Sequence, residues 1–288
     1  MSIDIPNYRI LAKLGNGAAS TLFKVRCTRT GSLYTVKNVK IHTPEDQKFI
    51  EQLKAEYATG SQLEHPAIRK VHELRYVRRR LRIKAAMLFM EYVDGMPMND
   101  QEFSRPIAQL LRLFIQAAEG LEAMHQAGFV HADLKPGNLL VTPSEKVKLI
   151  DFGQSCPIYT SKSRVQGTMD YMAPEQVALN VLDRRTDVFA LAASLHRIIT
   201  GRPIATDMNQ NITLHSQALL GKRVELAQPT NVEVPTVVAK LIETCCEKDP
   251  AKRLPDMRAF IERTEIALTV LERMPAPERT ATGNGLRG

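Results

Sequence analysis

The first third of the chain shows the alternation of apolar and polar residues that is typical of β-strands. Residues 8–39 predict three strands separated by two turns, and the last of these, 34–39, alternates like a half-buried strand. Residues 85–92 form a continuous apolar run, which predicts a strand buried on both faces. A small, strand-rich region is therefore expected before residue 92.

Apolar residues recur at helical spacing in most of the chain after residue 92. One helix is already predicted between the strands, because Thr43 and Pro44 form a hydroxyl N-cap followed by proline at the first helical position. Residues 106–128 predict a strong amphipathic helix, whereas 183–201 are apolar nearly all round and predict a buried helix. A last helix is predicted over 256–272.

Length and composition indicate a globular protein with enough apolar residues for a core. The chain has 288 residues, of which 44% are hydrophobic and 24% are charged. It contains no apolar run of roughly 18 residues, so no membrane span is expected, and residues 1–8 do not resemble a secretory signal. The four cysteines lack paired CxxC spacing, which argues against structural zinc and predicts reduced thiols in a cytoplasmic protein.

Much of the formal net charge of +8 comes from residues 69–84, where only Glu73 opposes the basic residues. This stretch is interpreted either as a solvated hairpin tip or as a contact surface for phosphates or an acidic regulatory protein. Aromatic residues do not alternate with the basic ones, so nucleic-acid binding is not expected. The basic residues are Arg69, Lys70, Arg75, Arg78, Arg79, Arg80, Arg82 and Lys84.

The most informative polar residues lie between 131 and 153. The segment His131-Ala132-Asp133-Leu134-Lys135-Pro136-Gly137-Asn138 is followed by a short apolar run, a polar turn and Asp151-Phe152-Gly153. A hairpin between them would bring Asp133, Asn138 and Asp151 to one end of one sheet. Carboxylate and amide oxygens are hard ligands, suited to a magnesium ion that is shared with phosphate oxygens.

Both segments resemble the catalytic loop and the metal-binding loop of the eukaryotic-like serine/threonine protein kinases. The resemblance implies an α+β, two-lobed fold, with a small β-rich N-lobe that carries one main helix and a larger helical C-lobe. The kinase domain is expected over 8–272, with the N-lobe at about 8–91, the hinge at 91–95 and the C-lobe at about 96–272. Residues 273–288 are expected to be a disordered tail.

The resemblance also implies a nucleotide site. Residues 15–20 would be a phosphate loop, although this glycine pattern alone would also suit an ordinary hairpin turn. Lys37 would hold the α- and β-phosphates and pair with Glu56, for which Glu51 is the rival. Met90 would line the back of the adenine pocket, and the backbone of Glu91 and Val93 would bond adenine. The implied nucleotide-binding residues are Leu14, Gly15, Asn16, Gly17, Ala18, Ala19, Ser20, Leu22, Thr35, Lys37, Met90, Glu91, Val93 and Leu140.

The chemistry that the resemblance implies is phosphoryl transfer from ATP with Mg²⁺, or Mn²⁺ in its place. Asp133 would accept or orient the proton of the attacking hydroxyl, and Lys135 would neutralise charge on the transferred phosphate. Asn138 and Asp151 would hold the metal. Lys135 is typical of the serine/threonine branch of the family.

Further contacts are implied around this centre. Thr168 would bond to Asp133 and Lys135, and His131 would pack against Phe152. Asp187 would hold the backbone of the catalytic loop. Arg253 would pair with Glu175 in a buried ion pair.

Four positions depart from the family pattern, namely Ser20, Thr35, Ala132 and Gly60, and the last two lead to expectations about the structure. Ala132 replaces an arginine that in many members binds a phosphorylated activation loop, so activity is expected to depend less on phosphorylation of Thr160, Ser161 or Ser163. Gly60 replaces a large apolar residue one turn beyond Glu56, and a thinned contact between helix and cleft is expected there.

The expected function is an ATP- and Mg²⁺-dependent serine/threonine protein kinase that acts on protein substrates, including itself. One alternative is a pseudokinase, which would bind nucleotide and act as a scaffold without catalysis. A small-molecule phosphotransferase is disfavoured because Gly167-Thr168 and Ala173-Pro174-Glu175 resemble a peptide-substrate platform.

Overall fold

The computed structural model describes residues 5–17, 19–79, 82–204 and 234–274. The predicted positions Ala18, Arg80 and the tail from 275 onward lie outside the described residues, as does the side chain of Arg79. No helix in the described part of the chain is long and apolar enough to cross a membrane.

The N-terminal lobe is built on a five-stranded antiparallel sheet with the order β1-β2-β3-β5-β4. This arrangement confirms the three strands predicted before residue 40 and the buried apolar strand after residue 85. The strands are β1 (Tyr8–Asn16), β2 (Ser20–Cys27), β3 (Leu33–Lys40), β4 (Val71–Arg79) and β5 (Arg82–Glu91). In this register Lys37 of β3 lies between Leu22 of β2 and Leu88 of β5.

The helix α1 (Gln47–Gly60) packs against this sheet. It is preceded by a 3₁₀ turn over Pro44–Asp46, so the α-helix begins three residues later than the Thr43-Pro44 signal predicts. The carboxylate of Asp46 accepts hydrogen bonds from the backbone N–H groups of His42 (2.8 Å) and Thr43 (2.9 Å), which anchors the chain where it enters the helix.

The C-terminal lobe is mainly helical, as predicted. Its helices are α2 (Ile107–Gln126), α3 (Pro174–Val177), α4 (Arg184–Thr200), α5 (Thr236–Cys245) and α6 (Met257–Arg273). Helix α4 is buried along nearly its whole length, and α2 packs against α6. The boundaries differ from the predicted ones by only a few residues, because the apolar spacing marks the helices well.

Short strands in the C-terminal lobe carry the polar loops. β8 (Leu139–Val141) and β9 (Val147–Leu149) form the predicted hairpin, with β6 (Met96–Pro97) on its outer edge. Leu139 pairs with Leu149, so residues 138 and 151 lie side by side where the hairpin opens. A separate pair joins β7 (Phe129–Val130) to β10 (Cys156–Pro157).

The two lobes are joined by hydrogen bonds as well as by the connecting segment after β5. The segment before β4 pairs with β9, because Leu149 N–H donates to the carbonyl of Ala67 (2.7 Å) and Arg69 N–H donates to the carbonyl of Leu149 (3.0 Å). Glu91 accepts from Lys148 Nζ (2.9 Å) and from the backbone N–H of Lys70 (3.0 Å). This part of the small lobe is therefore anchored on the large one.

The basic stretch 69–84 is not one continuous charged surface. Arg69 is buried, and the guanidinium of Arg75 lies 4.3 Å from the ring centre of Phe89. Lys70, Arg78, Arg82 and Lys84 are exposed. Interpreting all of these residues as a hairpin tip or a contact surface was wrong for Arg69, since the fold directs it inward.

The expectation of a thinned contact at Gly60 was also wrong. A Cβ placed on Gly60 would lie 2.4 Å from Val71 Cγ2 and 3.2 Å from Phe152 Cδ2. Neighbouring side chains therefore fill the space that a larger residue would occupy, and the helix backbone approaches β4 closely.

We predict that Gly60→Ala lowers the free energy of unfolding by about 1–3 kcal/mol, the usual cost of overpacking a core. In an open helical position the same change would instead raise stability by about 0.5–1 kcal/mol. Chemical denaturation of both forms measures the difference. The penalty should be smaller in a Val71→Ala background, and a rise in stability on Gly60→Ala alone would contradict the packing described above.

Candidate active site

The backbone of the loop over residues 131–138 is held by one buried carboxylate. Asp187, near the start of α4, accepts hydrogen bonds from the backbone N–H groups of His131 (2.8 Å) and Ala132 (3.0 Å) and contacts His125 Nε2 at 2.8 Å. Burial by itself would raise the pKa of Asp187, but the contacts with His125 and His131 outweigh it and lower the pKa. Asp187 therefore stays ionised and fixes the loop, as predicted.

His131 makes the predicted packing contact. Its ring lies edge-on to the ring of Phe152, with 6.0 Å between the ring centres. The side chain is completely buried, so it supports the two polar loops from inside the lobe.

Asp133, Lys135 and Thr168 form a closed set of hydrogen bonds. Thr168 Oγ1 donates to Asp133 Oδ1 (2.9 Å), and Lys135 Nζ donates to Thr168 Oγ1 (2.8 Å) and to Asp133 Oδ2 (3.1 Å). Both oxygens of the Asp133 carboxylate are thereby oriented. The set connects the catalytic loop to the segment that precedes α3.

Asn138 and Asp151 lie on either side of the β8–β9 hairpin. Asn138 Nδ2 donates to the backbone carbonyl of Asp133 (2.8 Å), so Oδ1 is the atom of this amide that remains to bind a cation. Ile150 N–H donates to the carbonyl of Asn138 (3.0 Å), which holds the two loops together. The predicted convergence of Asp133, Asn138 and Asp151 is thus present.

Lys37 reaches this group from the other lobe. Its ammonium lies 2.7 Å from Glu56 Oε2 and 3.3 Å from Asp151 Oδ1. Burial alone would lower the pKa of Lys37, but the carboxylates of Glu56 and Asp151 outweigh it and raise the pKa. The rival Glu51 is exposed and contacts Lys54 instead.

Asp151 is held in its ionised form. Burial would raise the pKa of its carboxyl, but the nearby Lys37 and Arg69 cations outweigh this effect and lower the pKa to about 2. A carboxylate that is fully ionised at neutral pH, beside an amide oxygen, fits a hard divalent cation that takes its remaining ligands from phosphate. The residues present therefore suit the metal that the resemblance implies.

A cavity of about 380 Å³ lies between the lobes, within the usual range for small-ligand sites. Of the predicted residues, it brings together Asn16, Gly17, Ala19, Ser20, Leu22, Lys37, Glu56, Asp133, Asn138 and Asp151. The predicted residue Lys135 is not part of its lining. A Cβ on Gly17 would lie 2.7 Å from Ser20 Oγ, so a side chain there would require the serine hydroxyl to rotate away.

The residues predicted to bind the base lie outside the lining of this cavity. Thr35 and Met90 are buried and paired across β3 and β5, while Leu14 is exposed on β1. Gly15, Glu91, Val93 and Leu140 also do not contribute to it. Their nucleotide contacts stay predictions.

Some lining residues were not predicted, namely Val39, Phe49, Gln52, Leu53, Arg69, Gly137, Ile150 and Gln154. Helical spacing from Glu56 could have indicated Gln52 and Leu53, which lie one turn earlier on α1. Arg69 carried no such signal, because it is the first of a run of basic residues in the sequence.

The segment after Gly153 is held by backbone pairing. Besides the β7–β10 pair, Ile158 N–H donates to the carbonyl of Gly128 (2.9 Å), and Tyr159 N–H donates to that of Leu182 (2.8 Å). Ala132 packs in a small apolar cluster with Val130, Leu182, Cys156 and Ile158. An apolar cluster thus occupies the position for which an arginine was discussed above.

Lys162 makes a further hydrogen bond within the segment after Gly153. Its ammonium donates to the backbone carbonyl of Gln154 at 2.6 Å. The segment is therefore connected back to the loop that carries Asp151.

The predicted buried ion pair is present. Arg253 Nη1 and Nη2 each lie 2.8 Å from one oxygen of Glu175, and Thr186 Oγ1 donates to Oε1 at 2.9 Å. This bidentate pair joins α3 to the segment before α6 and supports the platform that begins near Thr168.

A small β-lobe and a helical lobe that place a lysine, three carboxylates and an amide around one cavity define the protein kinase class. The sequence agrees, since residues 8–262 match the family model described as the protein kinase domain. The chain therefore belongs to the protein kinase family. Membership implies the use of ATP and a divalent metal ion.

Bacterial relatives support this assignment. The serine/threonine-protein kinase PknA of Mycobacterium tuberculosis is 30% identical over 283 residues, which cover 95% of this chain and 64% of that protein. A probable serine/threonine-protein kinase of Clostridium perfringens is 26% identical over 261 residues, covering 88% of this chain and 37% of that protein. One from Streptomyces coelicolor is 30% identical over 207 residues, covering 68% and 30%. The chain thus spans about 64% of the length of PknA.

Proposed function

We propose that this chain is a serine/threonine protein kinase that transfers the γ-phosphate of ATP to hydroxyl groups of proteins, including its own. The observation that carries the proposal is the Lys37–Glu56 pair at 2.7 Å beside the bonded set of Asp133, Thr168 and Lys135. Groups that would hold the phosphates and groups that would orient an acceptor hydroxyl meet at one cavity.

In the proposed reaction the chain mainly positions reactants and neutralises charge. Asp133 accepts the hydroxyl proton while the hydroxyl oxygen bonds to the γ-phosphorus and the bond to the β-phosphate oxygen breaks. Lys135 offsets charge on the moving phosphoryl group, and Lys37, oriented by Glu56, holds the α- and β-phosphates.

Asn138 and Asp151 would hold Mg²⁺, or Mn²⁺ in its place, which when bound neutralises charge on the phosphates. The 15–20 loop, with Leu14 and Leu22, would cover the nucleotide. Thr35, Met90 and Leu140 would surround adenine, and the backbone of Glu91 and Val93 would bond it.

The same geometry favours catalysis over the alternative of a pseudokinase scaffold. The lysine–glutamate pair is formed, and Asp133 has both of its oxygens oriented. A scaffold would not require an oriented proton acceptor.

We also propose a cytoplasmic location, because all four cysteines are free thiols.

We further propose that a regulatory protein partner binds the exposed part of the basic stretch. Nucleic acid is not the proposed ligand. Charge reversal of Arg78, Arg82 and Lys84 to Glu should weaken capture of an acidic partner in a pull-down, and Arg263→Glu, at an exposed site on α6, serves as the control. Unchanged capture would contradict the assignment of this surface.

Asp133→Ala should lower the rate of phosphate transfer by about 10²–10⁴-fold, the usual contribution of a general base. The measurement uses radiolabelled ATP, the purified chain and generic protein acceptors, followed by mapping of the labelled residues. Glu265→Ala, which removes an exposed carboxylate on α6, should leave the rate unchanged. An unchanged rate in Asp133→Ala would remove Asp133 from the mechanism. A wild-type chain that binds nucleotide but labels no protein would overturn the proposed function.

Activity should survive the triple change of Thr160, Ser161 and Ser163 to Ala. The segment is ordered by backbone pairing and by the apolar cluster around Ala132, so a phosphate is not needed to hold it. The test compares kcat/KM of the triple variant with that of untreated wild type that carries phosphate on these residues, and the two should agree within about threefold. Leu182→Asp, which places a charge in the cluster, should reduce activity. Loss of activity in the triple variant would contradict this account.

A further inference from the structure

Arg69 is a buried cation that the proposed reaction does not use. It lies directly before β4 and is 5% exposed. Its backbone N–H donates to the carbonyl of Leu149 in β9 (3.0 Å), and its neighbour Ile68 is bridged to the same residue. Although it belongs to the small lobe by sequence, its backbone is held by a strand of the large lobe.

The side chain of Arg69 turns from this anchor toward Glu56. Its Nη2 lies 3.9 Å from Glu56 Oε1, and both side chains are almost fully buried. The other carboxylate oxygen, Oε2, is the one that contacts Lys37 at 2.7 Å. Glu56 therefore faces one cation from the sheet of the small lobe and another that is fixed to the large lobe.

The distance leaves this second contact incompletely formed. Among the residues that the structure describes, Arg69 Nε and Glu56 Oε1 have no hydrogen-bond partner. A buried polar atom without a partner is costly, and Glu56 Oε1 would be satisfied if Arg69 Nη2 approached it by about 1 Å to hydrogen-bonding distance.

The charges around the cavity support the same interpretation. Lys37 and Arg69 together balance the two carboxylates of Glu56 and Asp151. An arginine remains protonated in proteins, so its contribution is constant. Removing it would leave Lys37 as the one cation facing the buried carboxylate of Glu56 and the partly exposed carboxylate of Asp151, and a buried carboxylate that loses a partner is unfavourable.

We propose that Arg69 is a positioning residue that holds Glu56 from the large lobe and thereby seats α1 for the Lys37–Glu56 pair. Gly60 fits this role, because the close backbone approach at the end of α1 brings the helix near the segment that carries Arg69. The test of this proposal has a structural arm and an activity arm. Only the activity arm rests on the proposed kinase function.

The structural arm measures hydrogen exchange of the α1 amides in the nucleotide-free full chain. Arg69→Met should speed exchange over residues 47–60 by about tenfold, which is in the range of couplings between contacting residues. Arg69→Lys keeps the charge and should restore much of the protection. Arg26→Met, the same change at an exposed site on β2, should have no effect. If Arg69→Lys loosens α1 or the fold as much as Arg69→Met does, packing rather than charge explains Arg69, and the proposal is wrong.

The activity arm is a double-mutant cycle with Glu56→Gln. Arg69→Met alone should lower kcat by about tenfold without changing KM for the protein acceptor, which binds elsewhere. In the Glu56→Gln background it should have little further effect, because Arg69 acts through Glu56. Additive losses would overturn the proposal. A wild-type chain without phosphotransfer would refute the proposed function, while the exchange experiment would still decide the role of Arg69.

Discussion

The contact between Lys37 and Glu56 is the constraint on which the rest of this structure depends. Two groups of opposite charge are removed from water in the space between lobes, and such a pair is tolerated only when its geometry and its further contacts are good. The sheet register places Lys37, and the packing of α1 places Glu56. Because Asp151 completes the group from the large lobe, any change in sheet, helix or lobe position alters it.

The large lobe also contains a buried anion, the carboxylate of Asp187, that is tolerated because its contacts are good. Asp187 is fully buried, yet it is stabilised by two backbone N–H groups and a histidine, so the loop that carries Asp133 has a fixed support. The chemistry proposed here requires little bond-making by the protein and much accurate placement. Buried carboxylates supply that placement in both lobes, at Glu56 and Glu175 as well as at Asp187.

Two incorrect predictions have one physical origin. Gly60 was expected to leave a gap and Arg69 to lie on a charged surface, and in both cases the neighbours decide otherwise. Val71 and Phe152 fill the space beside Gly60, while the pairing of residues 67–69 with β9 turns Arg69 inward. A residue's own type does not specify which distant segments will pack against it.

The sequence by itself determined the secondary-structure elements and indicated which polar groups form the candidate site. Periodicity marked the strands and helices, since apolar faces must be buried, and the spacing of Asp133, Asn138 and Asp151 across one hairpin indicated their convergence. The tertiary structure alone decided which carboxylate meets Lys37 at 2.7 Å, that Ala132 joins an apolar cluster, and that Arg69 is enclosed behind Glu56. These outcomes depend on contacts between segments far apart in the chain, and local propensity carries no information about such contacts.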